Sequence, residues 1–352
     1  MTCQSTRAFL SESRNIVSDL FGIRPAIYWA DFGISLIVGY GCGAVYLNSS
    51  WHQPQTVVCF VVAVCALYRL GSFMHEIVHF RTREMHTFRI VWDILAGIPM
   101  LTPSFFYESH KDHHNAQHYG TDHDGEYLPL GNGTLKDVGL FFAQVFIQPI
   151  LVILRFLLAP VTFVHPKLRR WVLERASSFV IDFRYRRPIP SGAPLRSWAM
   201  MDVACSLRAW AIFAFVIAGF TEWTRIPQLY FLATSILALN YLRTLAAHRF
   251  LSDGQKMSHE EQLLDSTNIE GGSLTEILFP LGMRYHALHH LFPKLPYHNL
   301  GIAHRRLTAR LAADSPYRET VFPSWIAVIR QLQCSALPVR TNRHTTHVRP
   351  LA

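Results

Sequence analysis

Long apolar runs broken by short polar turns set the pattern of this chain. Residues 31–49 carry no charge after Asp31, and residues 55–73 are apolar apart from Arg69. A hydrocarbon core of about 30 Å is crossed by roughly 20 helical residues, so these runs predict two membrane spans joined at 50–54. Arg69 stands near one end, where its long side chain can reach the interface. Residues 209–220 and 226–247, joined by 221–225, predict a second hairpin whose first member begins near Ala199. Residues 138–159 are also apolar, but Pro149, Arg155 and two glutamines interrupt them, so a full crossing is not expected.

Charge then sets the topology. Segments 80–89, 167–187 and 304–310 are rich in Lys and Arg, and the bias of cytoplasmic loops toward these residues puts all three, with both termini, inside. Segment 167–187 can share a side with Arg81 only if residues 138–159 return to the face they left, as a re-entrant or surface-lying stretch. The expected architecture is all-α and integral to the membrane. About four transmembrane helices form two hairpins under a cytoplasmic helical cap. The expected domains are a cytoplasmic N-terminal segment (1–30), a membrane domain (31–310) and a C-terminal cytoplasmic tail (311–352).

Composition agrees: of 352 residues half are hydrophobic and 16% charged, too apolar for a solvated enzyme. A net charge of +9 would suit nucleic acid, but the Lys and Arg flank apolar spans, where anionic lipid headgroups and an acidic protein partner fit better. The polar first 30 residues show no cleavage site behind an apolar run, so the first span is expected to direct insertion. Six cysteines without a C-x-x-C pair indicate neither an iron–sulfur cluster nor a disulfide framework. Residues 338–352 are expected to be disordered, with His344 and His347 solvated.

The chain's 19 histidines carry information by where they fall. His75 and His79, four apart in His-Glu-Ile-Val-His, share a helical face just beyond the second span. Alone they also match a zinc metallopeptidase motif with Glu76 as general base, or ordinary interfacial histidines. His110, His113 and His114 form His-Lys-Asp-His-His, and His286, His289 and His290 repeat the spacing as His-Ala-Leu-His-His. Two such motifs at one membrane surface are not expected by chance. His248 closes the last span, where a histidine is commonly a dipole partner. Eight or nine imidazoles exceed the four ligands of a zinc site, so two metals are implied. Imidazole suits several metals; two sites with open positions favour iron and oxygen chemistry.

Three boxes in this order around two hairpins resemble the membrane fatty acid desaturase superfamily, from about residue 31 to about residue 307. The resemblance implies two iron ions held by His75, His79, His110, His113, His114, His286, His289 and His290, and adds His248 as a ligand. It implies molecular oxygen as co-substrate, and a separate ferredoxin or cytochrome as electron donor, docking on the basic cytoplasmic face. The segments 97–100, 121–127 and 292–296 resemble the acyl-lipid and sphingolipid branches. One departure stands out: some acyl-CoA desaturases have an Asn four residues before the last-span histidine, where this chain has Thr244, with Asn240 a turn earlier.

Desaturation of a lipid-, CoA- or carrier-linked acyl chain is therefore the first expectation. A hydroxylase or ketolase of the same superfamily, acting on a lipid or carotenoid, would share every ligand. An intramembrane zinc protease built on His75, Glu76 and His79 would leave the other clustered histidines unexplained. A metal transporter or storage protein would need ligands inside the spans. Asp112, Asp265, Glu270 and Asn268 are candidate second-sphere acceptors. The spans and residues 274–281 are expected to line an acyl channel.

Overall fold

The computed structural model describes residues 3–81 and 83–336; 337–352, with the tail expected to be disordered and its His344 and His347, lie outside the described residues. The helix α1 (Cys3–Ile16) precedes a hairpin of α2 (Pro25–Asn48) and α3 (Pro54–His79). Both hairpin helices open on a proline in the first turn, where the missing N–H costs nothing. The cap begins with α4 (His86–Trp92) and α5 (His110–His113), followed by α6 (Leu135–Leu157), α7 (Ala159–Thr162) and α8 (Pro166–Arg175). The second membrane pair is α9 (Leu195–Ile217) and α10 (Arg225–Ala247). The chain then returns to the cap through α11 (His259–Asp265), β1 (Asn268–Ile269), α12 (Ser273–Leu278), α13 (His286–Leu291), α14 (Tyr297–Arg310), α15 (Pro316–Glu319), β2 (Val321–Phe322) and α16 (Trp325–Ala336).

Five helices among the described residues are long and apolar enough to cross a membrane: α2, α3, α6, α9 and α10. The fifth, α6, is a continuous helix despite Pro149, started by a capping box in which Thr134 and Asp137 satisfy each other's backbone N–H. Its Phe146, Ile147, Ile150, Leu151 and Leu154 are exposed along one side. The other side carries Gln144 and Gln148, whose Nε2 atoms donate to the carbonyls of Ile181 and Val180, each at 3.0 Å, and Arg155, whose Nε donates to Ala176 O at 3.0 Å. Segment 176–181 thus runs antiparallel along α6. It is tied in turn to the cap, with Phe179 N donating to Phe106 O and Ile181 N to Gly125 O. Irregular backbone is not tolerated against lipid tails, so segment 176–181 lies on the protein side of α6, whose apolar side faces outward. With α6 counted, the candidate spans number five beside the four expected from the sequence.

Two ion-paired carboxylates fix this frame. Arg155 Nη2 bonds both oxygens of the fully buried Asp202, at 2.9 and 3.0 Å, and Arg169 closes on the same carboxylate, locking α6, α8 and α9 together. Arg69, expected to reach for the interface, instead grips Asp31 across the first hairpin, Nε to Oδ1 at 2.7 Å, and Tyr297 OH donates to the same carboxylate at 2.8 Å.

The boundaries expected at 30 and 310 do not separate domains. Tyr28 is fully buried in an aromatic cluster with Phe73, Phe88 and Tyr297, so the core begins inside the N-terminal segment. Residues 311–336 are no tail: β2 pairs in parallel with β1, and Leu311, Tyr317, Val328 and Leu332 are buried. The physical reason is that β1, next to the third histidine box, takes the backbone partners of one edge from this segment; Asn268 N donates to Thr320 O at 2.7 Å and Glu270 N to Phe322 O at 2.8 Å.

Candidate metal centre

The helix α3 continues past Phe73 to His79, so the first box stays helical and sets His75 and His79 on one face. The second box is α5 with His114 as its C-cap, the third opens α13, and His248 leaves the end of α10 in extended backbone. These elements bring all nine histidines into two adjoining groups. His75, His79, His110, His114 and His289 form one, and His113, His248, His286 and His290 the other, with ligand atoms within 4.8 Å of one another in each. The boxes do not map one to one onto the groups. Neighbouring helical residues point about 100° apart, so His113 and His114 face different centres, as do His289 and His290.

The inward atoms are Nε2. His114 Nε2 lies 2.9 Å from His110 Nε2, and His289 Nε2 lies 3.1 Å from the Nε2 atoms of both His79 and His114. In the other group His286 Nε2 is 2.9 Å from His248 Nε2 and 3.1 Å from His290 Nε2. Several outward nitrogens have acceptors: His110 Nδ1 meets Glu126 Oε2 at 3.0 Å and His113 Nδ1 meets Asp124 Oδ2 at 2.9 Å. His248 Nδ1 meets Tyr119 OH at 2.9 Å, and that hydroxyl donates to Asp265 Oδ2 at 2.6 Å. An ionised carboxylate only accepts, so these contacts place the proton on Nδ1 and leave the Nε2 lone pair facing inward. His75 Nε2 is buried without any hydrogen-bond partner among the described residues. Converging lone pairs repel in a dry site, and a cation at each centre is what removes the conflict. The donor set therefore fits two metal ions.

Protonation state agrees. Burial first, and then the charges of neighbouring histidines, holds His110, His114, His286, His289 and His290 well below the ordinary imidazole value; for His248 the neighbouring charges are His113 and Arg243. They are neutral at physiological pH, the form that ligates. His113 differs: burial pulls it down, but the Asp124 carboxylate bonded to it prevails and the net shift is upward.

Of the expected second-sphere residues, Asp265 acts through Tyr119. Asn268 braces the third box, its Oδ1 accepting Leu288 N at 3.1 Å. Asp112 instead holds His118 and Tyr185, and Glu270 is exposed. The residues that touch His113 and His110, Asp124 and Glu126, were missed, as were Tyr119 and Tyr107. The signal was present in the alternating carboxylates of 121–127. Glu76, the would-be base of a protease, accepts from Tyr28 OH at 2.5 Å and Tyr297 N at 3.2 Å, so its carboxylate is occupied in tying α3 to α2 and α14.

A cavity of ≈ 150 Å³ lies between α3, α6 and α10 and reaches His75. Met74, Met100, Ile236, Leu237 and Met283 give it apolar walls, while Arg243, Asn240, Thr244 and Glu126 add polar atoms near the histidines. Residues 274–281 do not line it: Leu278, Phe279 and Leu281 are buried in the core and Leu274 is exposed. At the departure noted above, Thr244 Oγ1 accepts from Arg243 Nη2 at 3.0 Å. A second cavity of ≈ 290 Å³ reaches His114 and His290 from the cap side.

The family model described as fatty acid desaturase matches residues 51–321. A ceramide hydroxylase of Caulobacter vibrioides is 39% identical over 325 residues, covering 91% of this chain and 92% of its own. With its long apolar helices and nine gathered histidines, this chain belongs to the fatty acid desaturase family and is a multi-pass membrane oxidoreductase of the desaturase and hydroxylase superfamily.

Proposed function

We propose that the chain hydroxylates a ceramide-like lipid. The observation that carries this reading is the 39% identity to a ceramide hydroxylase across nearly the whole chain, and it favours hydroxylation over the desaturation that the histidine boxes put first. In balance, one lipid C–H becomes C–OH, and the second atom of molecular oxygen leaves as water with two electrons from a donor protein and two protons. We assign His75, His79, His110, His114 and His289 to one iron and His113, His248, His286 and His290 to the other. When bound, the two irons supply the oxygen activation that attack on an unactivated C–H requires.

The chain's own residues position and protect. Glu126, Asp124 and the Tyr119–Asp265 pair keep the proton on Nδ1 of His110, His113 and His248, which orients each ring. The apolar walls between α3, α6 and α10 exclude water and admit the lipid from the membrane side. The cap and both termini are assigned to the cytoplasm by the basic segments, with a ferredoxin- or cytochrome-type donor docking there.

The test is expression in a host that makes ceramide, with lipid profiling by mass spectrometry beside a His113→Ala control. Ceramide that gains one oxygen only with the wild type is expected. Ceramide that loses two hydrogens instead would return the chain to desaturation, and identical profiles would remove the ceramide reading.

A further inference from the structure

Arg243 is the polar feature of the inner cavity that ring orientation does not explain. It sits on α10 and is 7% exposed, yet its hydrogen bonds go to the neutral side chains of Asn240, Thr244 and Tyr68. Among the described residues it forms no ion pair of the kind that holds Arg69, Arg155 or Arg284. A guanidinium taken out of water costs several kcal/mol, and the Glu126 charge across the cavity offsets part of this without the two groups forming an ion pair, so the space between them calls for a ligand that bonds to both. Glu126 presents the complement. Its Oε2 is taken by Tyr107 OH at 3.1 Å and by His110, whereas Oε1 is buried with no partner. Arg243, Glu126, Asn240 and His75 all line the one cavity, whose remaining walls are largely apolar.

From this we infer that Arg243 and Glu126 bind the amide and hydroxyl end of the lipid, so that oxidation falls on a carbon close to that polar end and not in mid-chain. The amide carbonyl accepts from Arg243 and a lipid N–H or O–H donates to Glu126 Oε1. Arg243 precedes His248 by five residues, about 7.5 Å along the helix axis. A polar group held there leaves only the first few carbons of the adjoining chain near the histidines. The rest of the acyl chain runs back along the apolar walls toward the membrane. A purely hydrocarbon segment in the same place would leave a guanidinium and a carboxylate oxygen buried and unanswered, the strongest form of rejection a binding site has.

The inference rests on the lipid-oxidase reading above and specifies where that lipid sits. The test uses the full chain purified in detergent without added electron donor. Heat denaturation is followed with ceramide, with a fatty acid methyl ester and with a free fatty acid of equal chain length. Ceramide is expected to raise the midpoint of the wild type and the ester is not. Arg243→Met is expected to bind ceramide roughly tenfold to hundredfold more weakly, and Arg243→Lys, which keeps the charge without the fork, to fall between. Equal shifts for wild type and both variants, no shift of the wild type, or an ester or free acid that matches ceramide would each overturn the inference. Tandem mass spectrometry of the cellular product separates the two readings. Desaturation beside the amide would sink hydroxylation and leave Arg243 its role. Oxygen inserted in mid-chain would sink the headgroup placement and leave the oxidase intact.

Discussion

Replacing Tyr119 by Phe removes one oxygen and tests the two-centre arrangement directly. That hydroxyl is buried, accepts from His248 Nδ1 at 2.9 Å and donates to Asp265 Oδ2 at 2.6 Å. Without it, His248 Nδ1 and Asp265 Oδ2 stand 3.7 Å apart, too far for a hydrogen bond. Asp265 stays in place because its Oδ1 still accepts Leu251 N at 2.6 Å, so the two groups do not simply close the gap. A hydrogen bond to a charged partner is worth about 1.5–3 kcal/mol, and the loss of an outer-sphere partner typically costs about 10- to 100-fold in metal affinity. The two figures agree, since about 1.4 kcal/mol is a factor of ten. The loss falls on one group only: His113, His248, His286 and His290 share the affected centre, while the other five histidines keep Glu126 behind His110. Full-length protein loaded with ferrous iron and challenged with graded chelator, followed by elemental analysis, reads this out. Tyr119→Phe is expected to fall to about one metal per chain at a chelator level where the wild type keeps both. Two metals held as tightly as in the wild type, or both lost together, would refute the reasoning.

Two further outcomes follow from groups outside the two histidine clusters. Asp202→Asn leaves Arg155 and Arg169 facing a neutral amide in a buried site, and breaking such a pair costs about 3–5 kcal/mol, so the heat-denaturation midpoint in detergent is expected to fall clearly; an unchanged midpoint would remove the lock between α6, α8 and α9. His304 is buried and bonded to Tyr317 OH, and burial lowers it from 6.5 to about 4, so it is neutral in the folded protein. As pH falls from about 6.5 to about 4 the denatured chain takes up this proton and the native one does not, costing up to about 3 kcal/mol of stability. His304→Gln is expected to flatten that part of the stability profile and to leave pH 7.5 unchanged, and a variant with the same acid sensitivity as the wild type would contradict this.

The spans and the histidine boxes were legible because each is written in local periodicity. About twenty apolar residues without a break mark a candidate span from local sequence alone, and His110 and His114 share a face by helix geometry. The crossing of the boxes between two centres is also implicit in that geometry, but only once the partner helices are placed. The polar residues that interrupt 138–159 were visible in the sequence, but their partners, the carbonyls of segment 176–181 bonded to Gln144, Gln148 and Arg155, are long-range contacts with no local signature. The same limit hid Asp31 as the partner of Arg69, 38 positions away, and the docking of 311–336 through a two-residue strand. Asp124 and Glu126 lie in segment 121–127, which the sequence singled out only by its resemblance. What was missing was the loop conformation that folds them back under the second box.

The lengthwise contact between α6 and the cap has a mechanical consequence. With Gln144, Gln148 and Arg155 each bonded to segment 176–181, α6 cannot slide along its own axis without breaking three hydrogen bonds at once. Gln148 also lines the inner cavity and donates to Tyr241 OH on α10, so the cavity wall is held fast by the same bonds that stop the helix from sliding.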